Sequence, residues 1–118
     1  MNVLKTCALL LVLLLPSTAM SQDIPKAGVQ DFKNMIESNR GKVLIINFWA
    51  TWCAPCVKEF PGLMNLRKEF SEDDLTIIGI SMDYGMRPVE NFVKVNKVNF
   101  PIVLDDESIG SMLEIKKI

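Results

Sequence analysis

Two cysteines lie three residues apart in the stretch "NFWATWCAPC", which runs from Asn47 to Cys56. Cysteines at this spacing can form a structural disulfide, supply half of a metal site, or cycle between dithiol and disulfide. Thiolate, the attacking species in exchange, is favoured where a helix begins, because unpaired backbone N–H groups and the helix dipole stabilise an anion there. We therefore predict that Cys53 attacks a substrate disulfide and that Cys56, one helical turn on, resolves the mixed disulfide.

The alternatives to redox cycling are weaker but stay open. A disulfide that closes so short a loop stabilises the fold by about 2 kcal/mol, against about 3 kcal/mol for a 15-residue loop. Structural zinc usually has four ligands, whereas the chain has no histidine and no second CxxC motif. Two thiolates could still hold Cu(I), as in a metal-binding or interaction module. We expect no metal and no cofactor other than the redox-active disulfide Cys53–Cys56.

A buried strand and a helix are predicted on either side of the cysteine pair. Val43–Trp49 is apolar, rich in β-branched residues and without alternation, which is typical of a central parallel strand covered on both faces. A helical pattern follows from Ala54 to Phe70. Pro55 suits its first turn, where a missing backbone donor matters little. Pro61 lies inside the helix and is expected to kink it.

Strands and helices alternate along the rest of the chain. Phe32, Met35 and Ile36 have the spacing of a short amphipathic helix between Asp31 and Gly41. Two more strands are predicted at Leu75–Ser81 and Pro101–Asp105, with helices at residues 87–98 and from Ser108 onward. This order predicts an α/β fold with a largely parallel sheet and a site at the carboxyl ends of its strands.

The amino-terminal residues have the pattern of an export signal. Lys5 precedes the apolar run Cys7–Leu15, and small residues after Pro16 predict cleavage behind Ala19. The run is about half as long as the roughly 20 apolar residues that cross a bilayer. The predicted division is therefore a signal peptide at 1–19, a polar lead-in at 20–30 and one domain at 31–118.

Charge and cysteine usage constrain the partners. Of 13 basic residues, removal of the signal takes away Lys5, so 12 remain against 14 acidic residues, and no basic stripe exists. Nucleic acid is therefore not an expected partner. Cys7 also leaves with the signal, so Cys53 and Cys56 are the two cysteines of the mature chain. An exported chain meets oxidising surroundings, which permit a disulfide.

The stretch "FWATWCAPCVKEFP" resembles the exported TlpA/ResA-type thiol–disulfide oxidoreductases of the thioredoxin superfamily. The resemblance runs from about Gly41 to the last residue, through "GKVLIINFWATWCAPC", "LTIIGISMD" and "FPIVLD". It implies a thioredoxin-like three-layer fold around a mostly parallel sheet. It also implies that Cys53 is the exposed nucleophile, that Cys56 is the buried resolving thiol, and that Pro61 is the family's kinking proline.

The resemblance suggests further site residues. Family members often have a glutamate three residues after the second cysteine, here Glu59, and its carboxylate could transfer a proton to or from Cys56. Glu59 could equally be ordinary surface charge favoured near a helix N-terminus. Asn47 stands where thioredoxin has a buried aspartate. The candidate substrate contacts around Cys53 are Trp52, Ala54 and Pro55.

The function implied is an exported enzyme that reduces protein disulfides, as in cytochrome c maturation. Its partners would be a disulfide-containing protein substrate and a membrane thiol reductase that donates electrons, in the bacterial periplasm or at the outer face of the membrane. The same residues could work in reverse, as a disulfide donor or isomerase. A peroxidase is a weaker alternative, because Thr51 lies two rather than three residues before Cys53.

The resemblance also implies an incomplete domain. The family has a cis-proline loop, a β-hairpin and a last helix after the segment "SMLEIKKI", where this sequence stops. Pro101 does not replace that proline, because it precedes an earlier strand. We expect an uncovered sheet edge, and weaker, less selective exchange than in a relative with the whole domain.

Overall fold

The structure, a computed structural model, describes residues 23–115. The predicted signal at residues 1–19 lies outside the described residues. Within 23–115, four strands alternate with four helices: β1 (Lys26–Ala27), α1 (Val29–Ser38), β2 (Val43–Trp49), α2 (Ala54–Glu69), β3 (Leu75–Ser81), α3 (Met86–Asn96), β4 (Ile102–Asp105) and α4 (Ser108–Met112). None of these four helices is both long enough and apolar enough to cross a membrane.

The strands form one parallel sheet in the order β1-β4-β3-β2, which confirms the predicted α/β class. β2 and β3 pair along their whole lengths, from Val43 beside Leu75 to Trp49 beside Ser81. Their carboxyl ends therefore lie side by side. Parallel strands with helical crossovers bring the following loops to one edge of the sheet, where sites in this class of fold are usually found.

β2 is an outer strand within residues 23–115, so its predicted central position was wrong for this part of the chain, although both of its faces pack against helices as predicted. Val43 is 61% exposed, and the next five residues are only half-buried. Val43 donates its N–H to Asp74, and Trp49 accepts from Met82, so the backbone of these residues faces β3. A continuous apolar run shows that both faces of a strand are apolar, but it carries no information on how many strands flank it.

The segment predicted as a polar lead-in is part of the domain, which corrects the predicted boundary at residue 31. Ile24 and Ala27 are buried, and β1 pairs with β4. Pro25 and Ala27 accept hydrogen bonds from the backbone of Leu104 and Asp106, at 2.9 and 3.0 Å. A strand of two residues is too short to produce a periodic signal, so the sequence pattern did not reveal it.

Helices cover both faces of the sheet, as the three-layer prediction requires. One face packs on α2 and α3, where Trp49, Phe60 and Phe92 form an aromatic cluster with centroid distances of 4.6 to 4.9 Å. On the other face, Phe32 of α1 and Ile109 of α4 pack against the sheet. Trp49 is 1% exposed and belongs to the core, as predicted.

The helix ends follow local chemistry. α1 begins two residues earlier than predicted, because Asp31 acts as the third helical residue and its carboxylate accepts a hydrogen bond from the Gly28 N–H at 2.9 Å. α2 continues through Pro61 as one helix. The cysteine pair is thus carried by the first turn of the longest helix described.

Candidate active site

A tight turn links the end of β2 to the start of α2 and carries the cysteine pair. Cys53 is the N-cap residue of α2, and its N–H donates to the Ala50 carbonyl at 3.1 Å. The Cys53 carbonyl in turn accepts from the Val57 N–H at 3.0 Å, which begins the helical ladder. Cys53 and Cys56 form a disulfide with an Sγ–Sγ distance of 2.05 Å.

The helix start gives Cys53 the surroundings of a reactive sulfur. The side chain of Cys53 makes no capping hydrogen bond, so it is not tied up at the N-terminus of α2. Pro55 lies in the first turn, as predicted, where its missing N–H removes no helical bond. The positive end of the helix dipole favours a thiolate at this position when the disulfide is open.

The two cysteines contact different sides of the sheet. Cys53 packs against the core shared with α1 and α4, whereas Cys56 packs against the core shared with α2 and α3. Both residues are half-buried. The family's distinction between an exposed Cys53 and a buried Cys56 is therefore not seen in this disulfide form, because the bond holds both sulfurs at the same rim of the sheet.

Exposed apolar residues adjoin the two cysteines in the chain. Trp52 is 46% exposed although it is a large apolar side chain, and its neighbours Ala54 and Pro55 are also exposed. Tyr84, which the sequence reading did not select, is 76% exposed and follows the end of β3. An exposed aromatic side chain next to a reactive cysteine, as Trp52 is to Cys53, is suited to contact with a polypeptide.

A buried carboxylate is the second feature that the sequence reading missed. Asp83 follows β3 and is 5% exposed, and its oxygens accept hydrogen bonds from Thr51 and from the Ser81 hydroxyl. Thr51 lies in the turn before Cys53. An aspartate just beyond the second strand of a parallel pair could have been noted, since the ends of neighbouring parallel strands meet.

Glu59 and Asn47, the two positions singled out for their charge, have different surroundings. Glu59 is exposed on α2, which suits both a proton carrier and ordinary surface charge. Asn47 is half-buried on β2, and its side-chain nitrogen is buried without a hydrogen-bond partner among the described residues. An unpaired buried amide nitrogen destabilises the fold by about 1–3 kcal/mol.

The described part of the chain contains no group of three or more potential metal ligands of the His, Cys, Asp or Glu types. The chain as a whole has no histidine.

Comparisons with known proteins agree with this geometry. The sequence pattern of the AhpC/TSA family matches residues 20–117. The chain is 43% identical over 68 residues to the thiol-disulfide oxidoreductase ResA of Bacillus subtilis, an alignment that covers 58% of this chain and 38% of ResA. It is 35% identical over 72 residues to the sporulation thiol-disulfide oxidoreductase A of the same organism, covering 58% and 44%. The chain spans less than half the length of these two relatives.

A solved structure shows the same arrangement of strands and helices. The thioredoxin domain of a thiol-disulfide oxidoreductase from Bacteroides vulgatus superposes with a TM-score of 0.60 and 25% identity, over 67% of this chain and 57% of that one. The fold is thus thioredoxin-like, as the resemblance implied, with the cysteine pair at the junction of β2 and α2.

Proposed function

Because the chain belongs to the AhpC/TSA family of thioredoxin-like proteins, we propose that it is a thiol–disulfide oxidoreductase whose working group is the Cys53–Cys56 pair. The observation that carries the proposal is the disulfide at the strand–helix junction, with Cys53 at the N-cap of α2. The names of its relatives, two thiol-disulfide oxidoreductases, support the same activity.

The reaction follows from the position of the two sulfurs. In the dithiol form, the Cys53 thiolate attacks one sulfur of a substrate disulfide, whose second sulfur leaves as a thiolate. The Cys56 thiol loses its proton and attacks the Cys53 sulfur of the mixed disulfide, which releases the other substrate thiolate. The substrate gains two electrons and two protons, and the Cys53–Cys56 disulfide re-forms.

Residues close to the two cysteines in the chain would bind the substrate and transfer the proton. We assign contact with the substrate polypeptide to Trp52, Ala54 and Pro55, which are exposed beside Cys53. We assign Glu59, one turn after Cys56, the transfer of the proton that Cys56 must lose. Its solvent exposure would let it exchange that proton with water.

The direction proposed is reduction of protein disulfides in an exported setting, as in the maturation of cytochrome c. The signal-like pattern of residues 1–19 supports export to the bacterial periplasm or the outer face of the membrane. A reductant in an oxidising compartment consumes its dithiol at each turnover. Its electrons must therefore come from another dithiol, which we take to be a membrane thiol reductase.

The test is to trap the mixed disulfide with a disulfide-containing protein such as insulin. The experiment uses the full chain with Cys7→Ser, which leaves Cys53 and Cys56 as its two cysteines. This reduced chain should convert insulin to its thiol form, and adding Cys56→Ser should accumulate the covalent complex through Cys53, because no second thiol can release it. Cys53→Ser serves as the matched control and should form none. Equal trapping by both variants, or no exchange by the Cys7→Ser chain, would contradict the proposal.

A further inference from the structure

Asp83 is a buried carboxylate at the rim of the sheet that carries the disulfide. It lies two residues beyond β3 and is 5% exposed. Its Oδ2 accepts hydrogen bonds from the Ser81 hydroxyl at 2.7 Å and from the Thr51 N–H at 3.0 Å, and its Oδ1 accepts from the Thr51 hydroxyl at 2.6 Å. A buried carboxylate without such donors would be strongly unfavourable. All three donors are supplied by two residues.

These bonds hold the turn that presents Cys53. Thr51 is the second residue of the turn Ala50–Cys53, which is closed by the Cys53 N–H and the Ala50 carbonyl at 3.1 Å. Both donor groups of Thr51 point to the same carboxylate. Two charge-assisted hydrogen bonds therefore connect the turn to the segment just after β3, through Thr51, two residues before Cys53.

We propose that Asp83 is a positioning residue of the redox pair, which keeps the turn and the Cys53 sulfur in place when the disulfide is open. The inference rests on the proposed function. In the disulfide form, the covalent bond to Cys56 itself restrains Cys53. In the dithiol form that bond is absent, and the hydrogen bonds of Thr51 to Asp83 remain to fix the turn. Exchange requires the attacking sulfur to be held in a narrow range of positions.

Two pairs of variants separate positioning from charge and from packing. Asp83→Asn and Asp83→Ala both remove the charge, but the asparagine oxygen can still accept the Thr51 N–H. Thr51→Ser and Thr51→Val keep the charge of Asp83, but only serine keeps the hydroxyl donor. Asp83→Asn and Thr51→Ser should therefore keep most of the exchange rate that Asp83→Ala and Thr51→Val lose.

The measured quantity is the rate constant with which the reduced full chain converts glutathione disulfide to glutathione. A hydrogen bond to a charged group corresponds to about a tenfold change or more, so Asp83→Ala should react about tenfold more slowly. Thr51→Val should be slower by about threefold to tenfold, since its backbone bond remains. Asp83→Asn and Thr51→Ser should stay within about threefold of the unmodified chain.

Asp105 supplies a matched control. It is also a buried carboxylate at the carboxyl end of a strand, 3% exposed, but its oxygens accept from the N–H groups of Ile109 and Gly110, both at 3.0 Å. Asp105→Ala should lower resistance to urea without slowing exchange. A loss of rate in Asp105→Ala equal to that in Asp83→Ala would show a general effect of destabilisation and overturn the inference.

The outcomes are distinct from those of the proposed function. If the unmodified dithiol does not react with glutathione disulfide, the proposed function fails. If it reacts, but Thr51→Val is as fast as Thr51→Ser and Asp83→Ala as fast as Asp83→Asn, the positioning role is refuted. Should Asp83→Ala not fold, the Thr51 pair decides alone, because those two variants leave the carboxylate in place.

Discussion

Gly79 offers a quantitative test of how β3 packs against the aromatic core. It lies in β3 beside Asn47 and Ile102 of the neighbouring strands. A Cβ added there would lie 2.5 Å from Ile102 Cδ1, 3.1 Å from Trp49 Nε1 and 3.4 Å from Phe100 Cε2. The Ile102 methyl is the end of a flexible side chain and can rotate. The two aromatic rings cannot, because both are buried in the core.

Gly79→Ala should therefore lower the free energy of unfolding by about 1–3 kcal/mol, the usual effect of overpacking. Gly62→Ala is the matched control, since a Cβ added at Gly62, inside α2, meets nothing within 4 Å. Alanine is the better helix former, so this change should raise the free energy of unfolding by about 0.5–1 kcal/mol. Urea titrations followed by tryptophan fluorescence measure both. If Gly79→Ala were as stable as the unmodified chain, the close contact of Trp49 with β3 would be refuted.

Three further predictions concern Trp52, Asn47 and Asp106. Trp52→Ala should slow the reduction of insulin about fivefold or more but change the rate with glutathione disulfide little, since a large exposed aromatic side chain contributes to contact with a polypeptide. Val95→Ala, at another exposed apolar position, is the control, and an equal loss of rate in both variants would argue against contact at Trp52. Asn47→Leu should raise the free energy of unfolding by about 1 kcal/mol in urea titrations because it removes a buried amide nitrogen without a partner, and a less stable variant would mean that the amide is satisfied. Hydrogen bonds from Ser108 lower the pKa of Asp106 in the folded chain, so the ionised carboxylate stabilises the fold above its unfolded pKa, and this contribution is lost as the pH falls through the folded pKa. Asp106→Asn should therefore make the free energy of unfolding, measured by urea titration, less dependent on pH in this acidic range. An unchanged pH dependence would contradict the role of the Asp106 carboxylate.

The pattern of apolar residues was enough to predict the fold class and the bounds of the long strands. β2 and β3 were predicted at Val43–Trp49 and Leu75–Ser81 and occur there. Such runs are informative because a buried strand needs continuous apolar surface. β1 was missed because Lys26–Ala27 is too short to have a period. The outer position of β2 was missed because the composition of a strand does not show how many other strands pair with it.

The part of the candidate site formed by residues close together in the sequence could be predicted. The spacing of Cys53 and Cys56 and the change from strand to helix between Trp49 and Ala54 could be read directly. The hydrogen bonds between Asp83 and Thr51 could not, because the two residues are 32 positions apart and only the pairing of β2 with β3 brings them together. Long-range contacts between polar groups require the register of the sheet, which a single sequence does not state.

The reduction potential of the Cys53–Cys56 pair tests the central claim most directly. It can be measured by equilibrating the full chain in thiol redox buffers and following tryptophan fluorescence, since Trp52 adjoins Cys53. A reductant of protein disulfides should have a potential near or below about −270 mV, the value of thioredoxin. A potential approaching about −120 mV, where strong oxidants lie, would contradict the account and make the chain a donor of disulfides.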